Sequence, residues 1–440
     1  MNNYNDYNFG NKLWSDFNPS DLLKGTRKLN RIIGLTFPEH DVNLGLEPSI
    51  LTVLPQGKKC ELSLKNSLFN DDSVQYYLCS VYISGVDEFK KWAEQHDRNK
   101  IIVGGYHPTL FPEQFTRYAY KIVQGPCDDF WATIQQEGQI VKGVNSHNNI
   151  PRYDLYDVNK NQQIIPDKLP NDICTSINTS MGCNMRCAFC CSPLMCDRIM
   201  SKPLCIIKEE VDYLKTLNSS YLFIRDENFP LQSDWEKRLE LIATTGAKIY
   251  LFASANTLTE DMVKIFKNNN VYMVCLGLEN INENYTKNNK LDNACSLLKK
   301  YEIYIYLSFI VNPLEIVGRE KGEDFYNRLN ERLYELKPEM ICGNFLMPFP
   351  GTKIWDKYYH LVSKDDFKYY NSKSAFLIKN EIVREKMEFF MYYFQHQYYR
   401  SEFYNNEVRK FDIGDTLHLR FNELQEDFES RYDSIYNVRP

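Results

Sequence analysis

The sequence predicts an α/β protein with an N-terminal doubly wound, Rossmann-like sheet, a partial (β/α)6 barrel of the TIM type and a helical C-terminal cap. Three observations predict this arrangement. Short apolar runs alternate with amphipathic segments from about residue 30 to residue 357, which is typical of parallel strands joined by crossover helices. A polar stretch punctuated by proline interrupts the alternation near residue 150. Beyond residue 357 the strand-like runs give way to an aromatic, helical pattern.

Length and composition narrow the class of protein. A chain of 440 residues suggests two or three domains at roughly 150 residues each. With 43% hydrophobic and 25% charged residues it fits a globular fold rather than a disordered one. The net charge of -6 supplies no basic stripe for a phosphate backbone, so we expect no nucleic-acid partner. We also expect no membrane span, no secretory signal and a cytoplasmic enzyme, because no apolar run of the necessary length occurs.

The first domain is predicted at residues 30–145, after a polar tail at 1–29. About five strands are expected, in the runs NRIIGLTFP, KKCELSL, VQYYLCSVYIS, KIIVGG and YKIVQG. The segments between them include GLEPSILTVL, the amphipathic VDEFKKWAEQH and DDFWATIQQ. Ligands of such sheets bind outside the carboxyl ends of the strands, which here are residues 36–39, 104–109 and 124–128.

The second domain is predicted at residues 171–357, after a linker at 146–170. Six strand-like runs are expected to form the partial barrel, namely DICTSINTS, YLFIRDENF, KIYLFASAN, VYMVCLGLE, IYIYLSFIVN and MICGNFLMP. In a β/α barrel the chemistry takes place at the C-terminal ends of the strands. Residues 358–440, which include IVREKMEFFMYYFQHQYYRSEF, are predicted to be a helical domain packed on the barrel.

The cysteines give the strongest signal for chemistry. Thirteen is an odd number, and without an export signal they indicate thiols or metal ligands rather than a disulfide framework. The motif MGCNMRCAFC places Cys183, Cys187 and Cys190 on one loop directly after the first barrel strand. Three thiolates at this spacing can each hold one iron of a cubane cluster, which leaves the fourth iron open. An open coordination position is what a catalytic metal needs, because substrate or cofactor must reach it.

Other interpretations of these cysteines are a zinc site or plain buried thiols. Cys191 or Cys196 would be the fourth ligand of a zinc ion, but the second pair of cysteines typical of structural zinc is missing. Cys174, Cys191, Cys196 and Cys205 have no comparable spacing and are more often small apolar core residues. The rival to an enzyme is therefore a non-catalytic iron or zinc protein that uses its cysteines for folding or docking.

The chain resembles the radical S-adenosylmethionine (SAM) enzymes, whose CxxxCxxC loop is matched by Cys183, Cys187 and Cys190. The resemblance implies a [4Fe-4S] cluster that, once reduced, passes an electron into bound SAM. The resulting 5'-deoxyadenosyl radical abstracts hydrogen from a small-molecule substrate. A flavodoxin or ferredoxin is the implied electron donor. Phe189 places an aromatic ring beside the cluster, where a purine could pack.

The resemblance continues at the ends of the later strands. It implies that RDENF faces the methionine amino group and that SAN reaches the ribose and carboxylate, with further positions in LGLEN, SFIVN and PFPGT. The implied SAM-binding residues are Phe189, Asp226, Glu227, Asn228, Ser254, Asn256, Glu279, Ile310 and Asn312. Taken singly, a polar residue after a strand is more often a turn residue or helix cap. Because these residues all terminate apolar runs, we expect them on the same barrel face as the cluster loop.

The first domain resembles that of the subgroup with an N-terminal cobalamin-binding domain. KIIVGGYHPT looks like the turn after that domain's fourth strand, and the implied cobalamin-binding residues are Gly104, Gly105, Tyr106, His107 and Gly125. No DxHxxG segment is present, so no histidine from that motif could ligate cobalt. A histidine before proline in a turn is more often structural than a ligand, and His40 is a weaker candidate than His107.

Two reaction outcomes follow from the resemblance. If cobalamin binds, the implied reaction is methyl transfer to an unactivated carbon. If it does not, hydrogen abstraction would start a dehydration, epimerisation, oxidation or rearrangement. The turn QGPCDD carries Pro126 and Cys127 where the subgroup has a glycine and glutamate pattern. The alternative is therefore a first domain that keeps this fold but does not bind cobalamin.

Overall fold

The computed structural model describes residues 31–37, 49–63, 73–157, 172–196, 198–279, 281 and 290–408. The polar tail at 1–29, His40, most of the second half of the linker and residues 409–440 lie outside the described residues. In the part of the chain that is described, no helix has the length and apolar character needed to cross a bilayer.

The N-terminal domain contains a six-stranded sheet in the order β2-β1-β3-β4-β5-β6, and all neighbours are parallel. Its strands are β1 Arg31–Phe37, β2 Cys60–Ser63, β3 Val74–Val81, β4 Ile101–Gly104, β5 Lys121–Gln124 and β6 Ile140–Lys142. Five of them are the strands expected from the sequence, and β6 is an additional edge strand. Its three residues are too short a run to predict from alternation. The strand order reverses beside β1, which is where ligands of such sheets bind.

Short helices cover both faces of this sheet. They are α1 Val86–Ala93, α2 Tyr106–Leu110 and α3 Phe130–Ile134, with a 3-10 helix at Ser49–Thr52 inside the predicted GLEPSILTVL segment. In α1, Val86, Phe89 and Trp92 recur at helical spacing and are buried against the sheet. The opposite sheet face packs against the 3-10 helix and α3.

The second sheet has six parallel strands in the order β14-β13-β12-β11-β10-β7. The strands of this domain are β7 Cys174–Ile177, β8 Ser180–Met181, β9 Met200–Ser201, β10 Tyr221–Ile224, β11 Lys248–Phe252, β12 Val271–Glu279, β13 Tyr304–Val311 and β14 Met340–Phe345. Strands β8 and β9 form a separate antiparallel pair. Since β7 and β14 are the two ends of the large sheet, the barrel is partial and open, as predicted.

Helices pack outside this sheet and continue into the C-terminal cap. They are α4 Ser192–Met195, α5 Leu204–Thr216, α6 Trp235–Ala243, α7 Glu260–Asn268, α8 Leu291–Lys300, α9 Arg319–Leu336, α10 Lys353–Tyr358 and α11 Glu381–Arg400, followed by a π-helix at Tyr404–Val408. A 3-10 helix lies at Lys364–Tyr369. The helix predicted in the aromatic C-terminal segment is α11, which packs on β14.

The inner side of the barrel sheet is filled with aromatic side chains. Along β13 burial alternates, so that Ile305, Leu307 and Phe309 contact the helices while the tyrosines between them face inward. Phe223 and Tyr250 stack inside with ring centroids 4.3 Å apart. This interior is a packed core rather than a pore, which leaves space for chemistry at the carboxyl ends of the strands.

The described part of the linker packs against both domains. Arg152 donates from Nη1 to Pro55 O at 3.0 Å in the first domain. The Tyr153 hydroxyl donates to Ser176 O and lies 2.8 Å from Glu210 Oε1 in the second. These contacts hold the carboxyl ends of the two sheets close to each other.

Candidate active site

The cluster loop, residues 182–191, begins at a turn that requires glycine. Gly182 has φ +88°, and a Cβ there would overlap Arg198 O. Further along the loop, the Cys190 N–H donates to Cys187 O at 3.2 Å, which closes a tight turn. Cys183 is buried, whereas Cys187 and Cys190 are half-buried. The sequence prediction that these three thiols share one loop at the end of the first barrel strand agrees with this geometry.

The three thiols are electrostatic neighbours. Burial raises the pKa of Cys183, and the thiols of Cys190 and Cys187 raise it further. In the described residues no three His, Cys, Asp or Glu side chains are arranged to hold a metal ion. A single zinc ion needs its sulfur ligands within about 2.3 Å of one point. In a cubane cluster each thiolate binds its own iron, so the sulfurs need not converge. The chemistry of the donor set, three thiols on one loop, fits an iron–sulfur cluster with three protein ligands.

None of the thirteen cysteines, all of which lie in the described residues, forms a disulfide. Cys174 and Cys191 are buried, as expected for core residues, but Cys205 is exposed. Cys191 has a specific neighbour, since its Sγ lies 3.4 Å from the Tyr106 hydroxyl. Burial raises the pKa of Cys191 to about 12, so this thiol is neutral.

An apolar wall adjoins the cluster loop. Ala188 and Phe189 pack with Ile310 from the end of β13 and with Ile354 from α10. The Ile354 N–H donates to Ala188 O at 3.1 Å, which fixes α10 against the loop. The structure thus brings Phe189 and Ile310 together, as the sequence predicts, although they are more than a hundred positions apart in the chain.

Asp226 is buried in a hydrogen-bond network. Its carboxylate accepts from Thr179 N at 2.7 Å, Ser180 Oγ at 2.8 Å and Gln232 Nε2 at 2.8 Å, and also from the Thr179 hydroxyl. Burial raises the pKa of Asp226, and these hydrogen bonds oppose the rise. The carboxylate ties the segment after β7 to the end of β10, and its oxygens are already occupied.

The neighbours of Asp226 are placed differently. Glu227 lines the cavity described below, and burial raises the pKa of its carboxyl. Asn228 Oδ1 accepts a hydrogen bond from Ser254 N at 3.2 Å. Ser254 Oγ is buried and has no hydrogen-bond partner among the described residues, so it is an orphaned group that a ligand would satisfy. Asn256 is half-buried beyond it.

Glu279 is held in an unusual backbone conformation. Its φ is +61°, and a register irregularity between Gly277 and Glu279 interrupts the pairing with β13. Such bulges re-aim a side chain. The Glu279 carboxylate lies over Gly277, where a Cβ would overlap it. The bulge in β12 therefore sets the direction of the Glu279 side chain.

Both polar atoms of the Asn312 side chain already form hydrogen bonds within the protein. Its Nδ2 donates to Glu315 Oε1 at 2.8 Å and to the Tyr358 hydroxyl at 2.9 Å, while its Oδ1 accepts from Leu314 N. The amide is 1% exposed. It connects the end of β13 to α10 and leaves no free polar atom for a ligand.

A cavity of about 380 Å³ lies between the carboxyl ends of the two sheets. One wall is the N-terminal domain, with Gly104, Gly105, Tyr106 and Gly125, four of the five residues that the resemblance implies for cobalamin. Gly105 has φ +100°, and a Cβ would meet Val81 N at 3.0 Å, so this turn presents bare backbone. The facing wall contains Glu227 and three methionines, Met181, Met195 and Met200.

The cavity continues along the N-terminal sheet as an apolar slot. The slot lies between the sheet and the elements packed on it, and its lining includes Ile50, Leu78, Ile102, Val123, Phe130 and Ile134. Pro126 and Cys127 line the cavity as well. The Cys127 thiol lies 3.3 Å from Thr133 Oγ1.

His107 is away from the cavity. It is fully buried beside Phe111, Phe115 and Phe367, and its Nε2 lies 3.1 Å from Gln114 Oε1. Burial lowers its pKa to about 4. The geometry therefore supports a structural role for His107 rather than a role as a ligand.

Sequence reasoning missed several lining residues. Asn145 is the last residue of the predicted first domain, His147 and Asn149 belong to the predicted linker, and no pattern marked any of the three. Asn178, Thr179 and Ser180 also line the cavity. These three follow the apolar run of β7, so the rule that polar residues after a strand reach the site would have found them.

The two domains meet directly at the cavity. Tyr106, from the turn after β4, contacts Cys191 in the cluster loop and stacks near Tyr82. Because burial dominates its surroundings, the pKa of Tyr106 is raised well above its usual value. A side chain that lines the cavity, Tyr106, therefore lies directly against the cluster loop.

Comparison with known proteins agrees with this arrangement. Residues 177–304 match the family model of the Radical SAM superfamily. Over 326 residues the chain is 24% identical to bacteriochlorophyllide d C-8(2)-methyltransferase of Chlorobaculum tepidum, covering 65% of this chain and 67% of that protein.

Two solved structures share the fold. The radical S-adenosylmethionine methyltransferase TsrM from Kitasatospora setae, with cobalamin and [4Fe-4S] cluster bound, superposes with a TM-score of 0.52 at 12% identity, covering 75% of this chain and 78% of that one. The same enzyme with tryptophan substrate and the SAM analogue aza-SAM gives 0.53 at 13% identity, covering 75% and 76%. The cluster loop and the strand ends from β10 to β12 thus lie within the range that matches the Radical SAM superfamily model.

Proposed function

We propose that this chain is a cobalamin-dependent radical SAM methyltransferase acting on a small biosynthetic substrate. The observation that carries the proposal is the cavity itself. Its walls are the glycine turns of a doubly wound sheet and the strand ends beside the three-cysteine loop. A methyl carrier in this cavity would therefore lie next to a radical source held by the cluster loop. The relatives named above are methyltransferases, and the solved one holds cobalamin and a cluster.

Cys183, Cys187 and Cys190 would hold the [4Fe-4S] cluster. When bound, cluster and SAM supply the electron transfer and the 5'-deoxyadenosyl radical that activate the substrate. The chain's own residues position SAM. Phe189 and Ile310 offer an apolar wall for the adenine, and Ser254 Oγ offers an unused polar group. Glu227 and Glu279 supply carboxylates for the amino group or for hydroxyls of the ligand.

The N-terminal domain would hold cobalamin, which supplies the methyl group when bound. The residues present fit a bulky planar ligand, because Gly104, Gly105 and Gly125 place backbone rather than side chains against the cavity. The apolar slot beyond them adds buried contact area. Enclosure between two domains excludes water from the reacting atoms, which a radical reaction requires.

We further infer that the domain boundary lies within residues 146–170 and that the enzyme works in the cytoplasm. A flavodoxin or ferredoxin would supply the electron. The reducing interior of a cell would keep the cysteines out of disulfides, so that Cys183, Cys187 and Cys190 stay available as cluster ligands.

Anaerobic reconstitution with iron and sulfide, with and without hydroxocobalamin, tests the proposal. We expect four irons per chain, retention of the corrinoid through gel filtration, and cleavage of SAM to 5'-deoxyadenosine and methionine after reduction. Cluster and SAM cleavage without corrinoid retention would instead favour dehydration, epimerisation, oxidation or rearrangement. A colourless zinc protein would contradict any radical mechanism.

Replacement of each ligand tests the cysteine assignment. Cys183→Ala, Cys187→Ala and Cys190→Ala should each abolish SAM cleavage, because each removes one iron's ligand. Cys191→Ala is the matched control, since its thiol contacts Tyr106 and is neutral. This variant should keep its iron content and cleave SAM. Loss of cluster in Cys191→Ala would show that the ligand set is wrong.

A further inference from the structure

A lysine of the cap reaches over the open edge of the barrel sheet. Lys373 Nζ donates to Gly343 O on the edge strand β14 at 2.9 Å and to Asn344 Oδ1 at 3.0 Å. It also lies 3.4 Å from Cys342 Sγ. Cys342 and Asn344 are on the same face of β14 as Met340, which packs in the aromatic interior. The charge of Lys373 is therefore on the inner face of the barrel.

This part of the inner face adjoins the apolar wall at the cluster loop. In the pairing of β13 with β14, Asn344 lies beside Ile310 and Cys342 lies beside Ser308. Ile310 packs with Phe189 of the cluster loop. Neighbouring strands are about 4.8 Å apart, so a group bound at Asn344 is one strand spacing from the wall proposed for SAM.

The Lys373 cation has no carboxylate partner within 4.0 Å among the described residues. Its half-buried side chain belongs to a segment, 367–380, that contains no Asp or Glu. The Glu388 carboxylate, which contacts this segment, accepts instead from Ser374 Oγ at 2.6 Å and from Ala375 N at 2.8 Å. A half-buried charge without a counter-ion is unfavourable, so this position favours a ligand that supplies one.

A carboxylate is present on the same inner face, but it lies two strands away. The Glu279 carboxylate lies over Gly277 on β12, and Gly277 pairs with Ser308 on β13. Ser308 pairs in turn with Cys342 on β14. Two strand spacings are about 10 Å, which is beyond ion-pair distance. Glu279 and Lys373 are thus on opposite sides of Ser308, and an anion at this face is attracted to the Lys373 side.

The donors around Lys373 fit a carboxylate. An ammonium group has three donors, and two of those of Lys373 reach carbonyl oxygens while the third faces a thiol, which is a weak acceptor. A carboxylate oxygen in place of the thiol contact would form a charge-assisted hydrogen bond. Ser308 Oγ accepts from Asn344 Nδ2 at 3.2 Å, which leaves the hydroxyl hydrogen of Ser308 to donate to the same ligand.

We propose that Lys373, Asn344 and Ser308 form a subsite that binds a carboxylate of the substrate. We call these three residues the edge subsite. The inference rests on the proposed function, since it assigns the substrate of the proposed reaction an acidic group. The cavity is lined from the other end of the sheet, by Ser176 on β7 and by Glu227 after β10. A substrate at β14 and a methyl carrier in the cavity would therefore approach the SAM wall from two sides.

The Cys342 thiol gives the edge subsite its own reporter, because it lies 3.4 Å from Lys373 Nζ. Iodoacetate carries a carboxylate, and iodoacetamide is its neutral analogue. Both form a sulfur–carbon bond with a thiolate and release iodide. The test treats the reconstituted full-length chain with each reagent and follows every cysteine by peptide mass spectrometry. The ratio of the iodoacetate rate to the iodoacetamide rate should be about tenfold higher at Cys342 than at the exposed Cys205.

Variants of Lys373 separate carboxylate binding from a structural role at the sheet edge. Lys373→Met should lower the ratio at Cys342 to that of Cys205, whereas Lys373→Arg keeps the charge and should keep most of the preference. A purely structural change alters access for both reagents alike and cancels in the ratio. The matched control is Lys364→Met, which removes the same charge from an exposed position of the cap and should leave the ratio unchanged.

SAM also carries a carboxylate, and equilibrium SAM binding distinguishes this source from the substrate. Lys373→Met should bind SAM within about twofold of the wild-type affinity. Saturating SAM should leave the iodoacetate preference at Cys342 in place. An affinity for SAM that is about tenfold weaker, or loss of the preference when SAM is bound, would assign the edge subsite to SAM and overturn its assignment to the substrate.

Two further results would overturn the edge subsite and leave the proposed function intact. One is an equal ratio at Cys342 and Cys205 in a wild-type chain that holds its cluster and cleaves SAM. The other is a Cys342 thiol that neither reagent labels in such a chain. Failure of the wild-type chain to assemble a cluster would instead overturn the proposed function.

Discussion

At the scale of single residues, burial separates groups that face a ligand from groups that hold the site together. Asp226 and Glu227 are adjacent and both fall in the SAM-binding segment implied by the sequence. The carboxylate of Asp226 is fully used by donors from the ends of β7 and β10, whereas that of Glu227 lines the cavity. The two residues should therefore respond differently to the same isosteric change.

Asp226→Asn should lower the free energy of unfolding by about 1–3 kcal/mol, because an amide nitrogen would face a buried donor. Glu227→Gln should leave stability within about 0.5 kcal/mol of wild type and weaken ligand binding instead. Denaturant unfolding and equilibrium SAM binding measure the two effects. A stable Asp226→Asn variant that no longer binds SAM would show that Asp226 contacts the ligand.

His107 should make stability depend on pH. Burial lowers its folded pKa from 6.5 to about 4, so the unfolded chain takes up this proton first as the pH falls. The stabilisation from neutral His107 is fully present above pH 6.5 and is lost as the pH falls toward about 4. The loss is on the order of 3 kcal/mol.

His107→Leu should remove this part of the pH dependence, which unfolding curves between pH 7 and pH 4.5 would measure. Identical slopes for wild type and His107→Leu would mean that His107 is not a buried neutral base.

At the scale of secondary-structure elements, the C-terminal cap completes the open barrel. Strand β14 is an edge strand, and its unpaired backbone groups find partners in the cap. Gly343 N donates to Gln395 Oε1 at 3.0 Å, and Ile341 N donates to the Tyr399 hydroxyl at 2.8 Å. Gly343 O accepts from Lys373 Nζ at 2.9 Å. Covering the edge in this way prevents pairing with another chain.

Tyr399→Phe should lower the free energy of unfolding by about 1–3 kcal/mol, because it leaves Ile341 N buried without an acceptor. It should also speed hydrogen exchange at Ile341. Tyr393→Phe on the exposed face of the same helix is the control and should be neutral. Equal stability of the two variants would indicate that the cap is not needed at this edge.

At the scale of the whole molecule, the ligand site belongs to neither domain alone. Arg152 and Tyr153 fix the linker to both domains, and Tyr106 of the cavity wall contacts the cluster loop. A ligand in that cavity touches both domains, so its binding should stabilise the chain as one unit.

Hydroxocobalamin at a hundred times its dissociation constant should stabilise the folded chain by about 2.7 kcal/mol, seen as a rise in Tm. Ile134→Trp, which would fill the apolar slot, should abolish this rise and keep the rise caused by SAM. Retention of the cobalamin effect in Ile134→Trp would place the corrinoid outside the slot.

Local patterns allowed much of the fold to be predicted. Strand and helix alternation, the six barrel strands and the shared loop of Cys183, Cys187 and Cys190 follow from periodicity and spacing, which are properties of neighbouring residues. Strand β6 was missed because three residues carry too little pattern. Phe189 was predicted at this site because it lies inside the cysteine motif, and Ile310 because it lies at a strand end on the same barrel face.

Only the tertiary structure decided which polar groups remain available to a ligand. Asp226 and Asn312 follow strands just as Glu227 and Ser254 do, and the sequence does not distinguish them. Their difference lies in donors and acceptors contributed by distant segments, such as Thr179 for Asp226 and Tyr358 for Asn312. Whether a polar group already has all its hydrogen bonds depends on how the chain packs in three dimensions. The cavity, the linker residues that line it and the burial of His107 likewise depend on contacts between residues far apart in the chain, so only the tertiary structure decided them.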